Sequence, residues 1–180
     1  MSGHNKWSKI KNKKAVTDAK KSKIFSMFAK MIAVESRKTK GDKNSPSLRA
    51  VMERARAVNM PNDNIDRAVA KGAGGEGGNL EEVLYEAYGP GGVAIIIEGI
   101  TDNKNRTTPE IRHLLSKHGG SLGSSGSCLW SFTKGDEGWT PTTLVDVNEK
   151  DEEALLELLD VLDDHDDVQN ISTNANLEES

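Results

Sequence analysis

Residues 72–100 read GAGGEGGNLEEVLYEAYGPGGVAIIIEGI, and the pattern of the chain changes across them. The first seven of these residues hold five glycines, a composition that makes a flexible linker. After the linker, Val83–Tyr88, the turn Gly89-Pro90-Gly91-Gly92 and Val93–Ile100 predict two strands joined by a tight loop. Before it the period is helical. Ile24, Phe25, Phe28, Met31 and Ile32 fall on one face of a helix that starts near Thr17 and ends at Gly41-Asp42. Ser45-Pro46 predicts a cap and first turn, with Leu48, Val51, Met52, Ala55 and Val58 facing inward. Pro61 separates a third helix, capped near Asn62, burying Ile65 and Val69 and stopping at Gly72.

Downstream, Thr107-Thr108-Pro109-Glu110 fits a capping box, opening a helix that buries Ile111, Leu114 and Leu115 and stops at Gly119-Gly120. Ser127–Phe132 and Thr143–Val147 are expected as strands, Glu149–Leu162 as a helix, and Val168–Thr173 as a last strand. The order ββαββαβ predicts the α+β class: a ferredoxin-like sandwich with two helices over one face of an antiparallel sheet. The expected organisation is a basic arm (1–16), a three-helix domain (17–71), the linker (72–78), the ferredoxin-like domain (79–173) and a frayed tail (174–180).

Charge is distributed as unevenly as structure. The formal net charge is −4, yet residues 1–78 sum to +11 and residues 79–180 to −15. An asymmetry of this size between halves assigns them different partners, and the basic half suits a polyanion. Lys6, Lys9, Lys11, Lys13, Lys14, Lys20, Lys21 and Lys23 lie within eighteen residues, with Trp7 among them. Lys23, Lys30 and Arg37 repeat every seven residues and continue a basic row along the first helix. Lysines can follow a phosphate backbone and release its counterions, and an indole can stack on an unpaired base. These eleven residues are the candidate nucleic-acid-binding set. The preference for Lys over Arg suits phosphate contact more than base reading.

Other chemistry finds little support. Gly72–Gly77 has dinucleotide-fingerprint spacing but follows a helix and precedes a strand, the reverse of what a pyrophosphate site needs. His4, His113, His118 and His165 have no metal spacing, and His113 and His118 lie about 140° apart around a helix. Asp163-Asp164-His165-Asp166-Asp167 lacks the alternating ligands and central glycine of a calcium loop. The single Cys128 excludes an internal disulfide and reads as an inert thiol in an apolar strand. Nothing in the sequence brings together any two of Asp102, Glu110 and Asp136. No catalytic residue, metal, cofactor or small-molecule substrate is expected. The longest strong apolar run is Val93–Ile97, far short of the ~18 residues of a membrane span, and no cleavable leader is read. A cytoplasmic monomer without membrane contact is the expectation.

The blocks GHNKWSKIKNKKAVTDAKKSKIF, NMPNDNIDRAVAKG, YEAYGPGGVAIIIEGITDNKNRT, GGSLGSSGS and LLDVLDDHDDVQNISTN resemble, in order, successive blocks of the YebC/PmpR family. The resemblance implies a helical N-terminal domain, α+β domains behind it, and a cytoplasmic or mitochondrial regulator of gene expression. Bacterial members are described as DNA-binding transcriptional regulators; others, including a mitochondrial translational activator of cytochrome c oxidase, act on ribosomes or relieve stalled translation. The family normally carries a third domain between the segments matching Ser127–Phe132 and Thr143–Val147, where this chain has only Thr133–Pro141. The expected function is therefore a non-enzymatic nucleic-acid-binding regulator, with DNA or ribosomal RNA as partner. A ribosome-associated translation factor and a protein-interaction adaptor using the acidic half remain the alternatives.

Overall fold

The computed structural model describes residues 18–75, 78–136 and 138–177. The proposed arm, with Lys6, Trp7, Lys9, Lys11, Lys13 and Lys14, lies outside the described residues, as do Thr17 and residues 178–180. The described chain divides into two units. One runs to Glu82 and takes in Ile100–Asn103; the other holds Val83–Gly99 and the chain from Lys104 onward. This division falls after Glu82.

The helical unit consists of α1 (Asp18–Lys38), α2 (Pro46–Ala57) and α3 (Asn62–Ala73). Phe28 and Ile32 of α1 meet Leu48, Val51, Met52 and Ala55 of α2 and Ile65, Ala68 and Val69 of α3 in one apolar core. Gly72 does not end α3. It is buried against the carbonyl of Ala33, where a Cβ would overlap that oxygen, so glycine here lets two helices approach closely. Beside it the buried Ser36 hydroxyl donates to the Val69 carbonyl at 2.6 Å. Ser45 occupies the N-cap of α2 without bonding its amides, because its hydroxyl meets that of Ser47. Pro61, not Asn62, is the N-cap of α3. Val58 faces outward at 38% exposure, and Met60 takes the inner position because α2 ends at Ala57.

The second unit is built on β1 (Glu81–Tyr88) and β2 (Ala94–Thr101), followed by α4 (Lys104–Lys117), β3 (Ser121–Leu122), β4 (Phe132–Gly135), β5 (Gly138–Pro141), α5 (Glu149–Asp163) and β6 (Val168–Thr173). Four strands form a sheet in the order β3-β1-β2-β6. β3 runs antiparallel to β1, and β6 antiparallel to β2 with Ile97 opposite Ile171. On one face Val83, Tyr85, Ala87, Ile95 and Ile97 pack against Ile111 and Leu115 of α4 and Leu155, Leu158, Leu159 and Leu162 of α5. The architecture is the expected α+β one. The alternate residues Ala94 and Ile96 point to the other face, where Cys128, Phe132, Leu129 and Trp139 cover them. β2 is thus buried on both sides, which its unbroken apolar run requires.

Five local expectations are corrected. The stretch Ser127–Phe132 is no strand: Leu129–Ser131 form a 3₁₀ turn and pairing begins at Phe132. The supposed link Thr133–Pro141 is most of a β4–β5 hairpin, with Phe132 opposite Pro141 and Gly135 opposite Gly138. In Thr143–Val147 only Val145 makes a β contact, a parallel bridge to Ala175. Helix α4 starts at Lys104, so Thr107 is inside it and buried, its hydroxyl donating to Asp167 at 2.8 Å instead of capping. Nor is the described tail frayed. Asn174 accepts the Ala94 amide at 2.8 Å, and Ala175 and Leu177 are fully buried.

Candidate nucleic-acid interface

The described members of the predicted set all lie on α1. Lys21 is exposed; Lys20, Lys23, Lys30 and Arg37 are half-buried. The row Lys23, Lys30 and Arg37 therefore flanks the apolar face instead of opposing it. From Met27 to Arg37 no residue of α1 is exposed, as the buried Ala33, Val34 and Ser36 show. Arg37 has a structural engagement as well. Its guanidinium donates to the carbonyl of Leu80 at 2.6 Å and of Gly78 at 3.3 Å, tying down the segment after the glycine run.

Other cations of the unit sort into two groups. Lys38 is held between Glu35 (2.9 Å) and Glu82 (3.0 Å), Lys43 by Asp66 (2.8 Å) and Arg49 by Glu53 (3.2 Å). Burial alone lowers the pKa of the Lys38 ammonium, but bonds to the two carboxylates outweigh it and leave the value raised. The second group meets no carboxylate among the described residues. Lys21, Lys40 and Lys71 are exposed. Arg54 lies over the Phe28 ring at 5.8 Å, the Arg56 guanidinium donates to Asn62 and that of Arg67 to Asn64. Arg54 and Arg56 sit in the last turn of α2, and Arg67 is on α3, the helix that follows. These arginines do not cluster along the chain, so no local run of sequence marks them. The helix–turn–helix connection sets them on two consecutive helices.

Acidic side chains in the second unit are put to a different use. Glu86 on β1 is 4% exposed, and its carboxylate accepts the backbone amides of Gly126, Cys128 (3.1 Å) and Leu129 (2.7 Å). Burial alone would raise its pKa, but these three donors outweigh it and hold the carboxyl below its ordinary range. The Cys128 thiol is buried and its pKa pushed up, first by burial and then by the Glu86 charge, which keeps it unreactive. Glu110, His165 and Asp167 bring three potential ligand atoms within 4.8 Å of one another, a grouping the chain spacing had not shown. Each is already occupied. His165 Nε2 meets Glu110 at 2.7 Å, His165 Nδ1 accepts the Asp167 amide, and Asp167 accepts from Arg106 and Thr107. The group works as a strut joining α4 to the turn before β6.

Among the described residues no helix is long and apolar enough to cross a membrane. Residues 5–75 match the family model of the TACO1/YebC protein N-terminal domain, and residues 80–137 and 133–175 match that of the TACO1/YebC second and third domain. The chain belongs to the TACO1/YebC family. A protein of Thermosipho africanus (strain TCF52B), named "Probable transcriptional regulatory protein", is 57% identical over 136 residues, which are 74% of this chain and 54% of the relative. One of Desulfosudis oleivorans with the same name is 38% identical over 242 positions, covering all of this chain and 98% of the relative. The crystal structure of a conserved hypothetical protein from Aquifex aeolicus superposes with a TM-score of 0.88 at 32% identity, covering 97% of this chain and 98% of that one.

The chain spans about half the length of several TACO1/YebC relatives that it matches at 56–57% identity. The Desulfosudis alignment runs to 242 positions against 180 residues here, so that relative has a segment without a counterpart in this chain. The two pieces matched to the second-and-third-domain model meet at residues 133–137, on the β4–β5 hairpin. A hairpin turn stands where those two matched pieces meet.

Proposed function

We propose that this chain is a non-enzymatic regulator of gene expression that binds nucleic acid through its helical unit and the lysine-rich segment ahead of it. The observation that carries this reading is the set of cations in the helical unit that meet no carboxylate among the described residues, Lys21, Lys40, Arg54, Arg56, Arg67 and Lys71, on a segment of strongly positive net charge. The name of the relatives, probable transcriptional regulatory protein, agrees with it and favours DNA as the target. Lys6, Lys9, Lys11, Lys13 and Lys14 supply further phosphate contacts, and Trp7 a stacking ring.

If about eight cations engage a duplex, log affinity falls with log salt at a slope near −7. Fluorescence anisotropy with labelled duplex DNA at several salt concentrations measures it. A slope near zero rejects the electrostatic mechanism. The predominance of lysine supports a second reading, in which the same cations follow the backbone of ribosomal RNA and the protein is a translation factor. Co-sedimentation with ribosomes, together with equal affinity for unrelated duplex sequences, selects that reading over the first.

A further inference from the structure

We propose that Trp130 is a stacking platform for an unpaired nucleobase, giving the α+β unit its own contact with single-stranded nucleic acid. The partner class rests on the nucleic-acid reading above; the position and the chemistry rest on what surrounds this ring.

Trp130 is 79% exposed, whereas the other exposed large apolar side chains among the described residues, Leu84 and Val58, reach only 40% and 38%. Tryptophan is highly buried on average, so an indole left almost wholly in water is out of the ordinary. It is also firmly placed. Its Nε1 donates to the Ser127 carbonyl at 3.0 Å. The Ser131 hydroxyl donates to the Cys128 carbonyl at 2.7 Å, and the Ser131 carbonyl accepts both the amide and the hydroxyl of Thr142. Just upstream, the buried Glu86 holds the amides of Gly126, Cys128 and Leu129. A carboxylate buried in the domain thus anchors the short turn that carries the ring. With the indole N–H bonded internally, the ring has its π faces to offer a ligand.

The surroundings decide between a base and a protein. A tryptophan hot spot in a protein interface sits within an apolar patch that excludes water. Around Trp130 the chain instead exposes Ser124, Ser125, Gly126, Thr133 and Thr142. Lys134, on the strand that begins two residues later, has its ammonium 5.5 Å from the Trp139 ring and no carboxylate partner among the described residues. One flat aromatic face on a turn flanked by exposed hydroxyls and glycine backbone matches what an unpaired base and its sugar require.

The test uses the full chain and labelled oligonucleotides of about 12 nucleotides, within the site sizes of single-strand binders. Oligo-U RNA and oligo-dT distinguish the two sources of an unpaired base, and a duplex of matched length serves as the third arm. Trp130→Ala is expected to weaken binding of at least one single strand about tenfold. Duplex binding, the salt slope and the melting temperature stay as in the wild type. Trp130→Phe recovers most of the loss. In a Trp7→Phe, Trp139→Phe background, the same single strand quenches the remaining tryptophan emission. Unchanged single-strand affinity in Trp130→Ala, with wild-type binding intact, overturns the platform alone. Equal loss for duplex and single strands overturns it too, as does a fall in self-association at constant oligonucleotide affinity, which makes Trp130 a protein contact. A wild-type chain that binds none of the three overturns both this inference and the functional reading above it.

Discussion

In the helical unit Arg54, Arg56 and Arg67 stand in solvent against a ring or an amide side chain, whereas in the α+β unit the carboxylates of Glu86 and Asp167 are buried and bonded. The first unit presents part of its charge outward; the second folds part of its charge inward as a fastening. A segment's net charge therefore does not by itself say what its charges are for. Residues 79–180 are strongly acidic, yet two of those acids hold loops and helices in place.

The largest effect that can break this contrast is expected at Glu86. Glu86→Ala leaves three amide donors without their acceptor and should destabilise the α+β unit by about 3 kcal/mol. Urea unfolding followed by Trp130 and Trp139 fluorescence reads it, and duplex binding per folded molecule should not change. A smaller but clear loss, about 2 kcal/mol, is expected for Gly72→Val, whose side chain enters the space of the Ala33 carbonyl. Circular dichroism should register it as lost helix.

Acid sharpens the same comparison. The carboxyl of Glu86 is held below its ordinary value of 4.5, so between the folded and unfolded values the unfolded chain binds the additional proton. Its contribution is complete above the unfolded value and is lost as pH falls through the folded one. The urea midpoint of the wild type should therefore decline on acidification below the ordinary glutamate range, more steeply than that of Glu86→Gln.

The solvated cations should behave in the opposite way. Each of Arg54→Ala, Arg56→Ala and Arg67→Ala is expected to make the salt slope of duplex binding shallower by about 1, with the melting temperature unmoved. Salt titrations of the three variants check it, and an unchanged slope removes that arginine from the interface. Smallest of all is Lys38→Ala. Its pairs with Glu35 and Glu82 lie at the surface, and their loss should cost under about 0.5 kcal/mol.

The misread segments show where local pattern stopped being informative. Ser127–Phe132 has the composition of a strand, but a carboxylate some forty residues earlier captures its amides and bends it into a turn. Thr133–Pro141 has too few apolar residues to read as paired, yet Phe132 and Trp139 cover the back of the sheet and the hairpin follows. The repeat of basic residues along α1 was legible at helical spacing, but of its described members only Lys21 is exposed. The candidate interface was not legible at Arg54, Arg56 and Arg67, which only the turn between α2 and α3 groups together.

The sequence alone determined the five helices, the strands β1, β2 and β6, the helical face of α1, the unbroken apolar run of β2 and the uneven charge, because each depends on neighbours a few residues apart. Only tertiary structure decided which charges face solvent, which amides Glu86 holds, how closely Gly72 lets α3 approach α1, and that the Trp130 ring stays in water. Those outcomes depend on groups brought together across tens of residues, and the energy of burying or pairing a charge is set by that assembled environment.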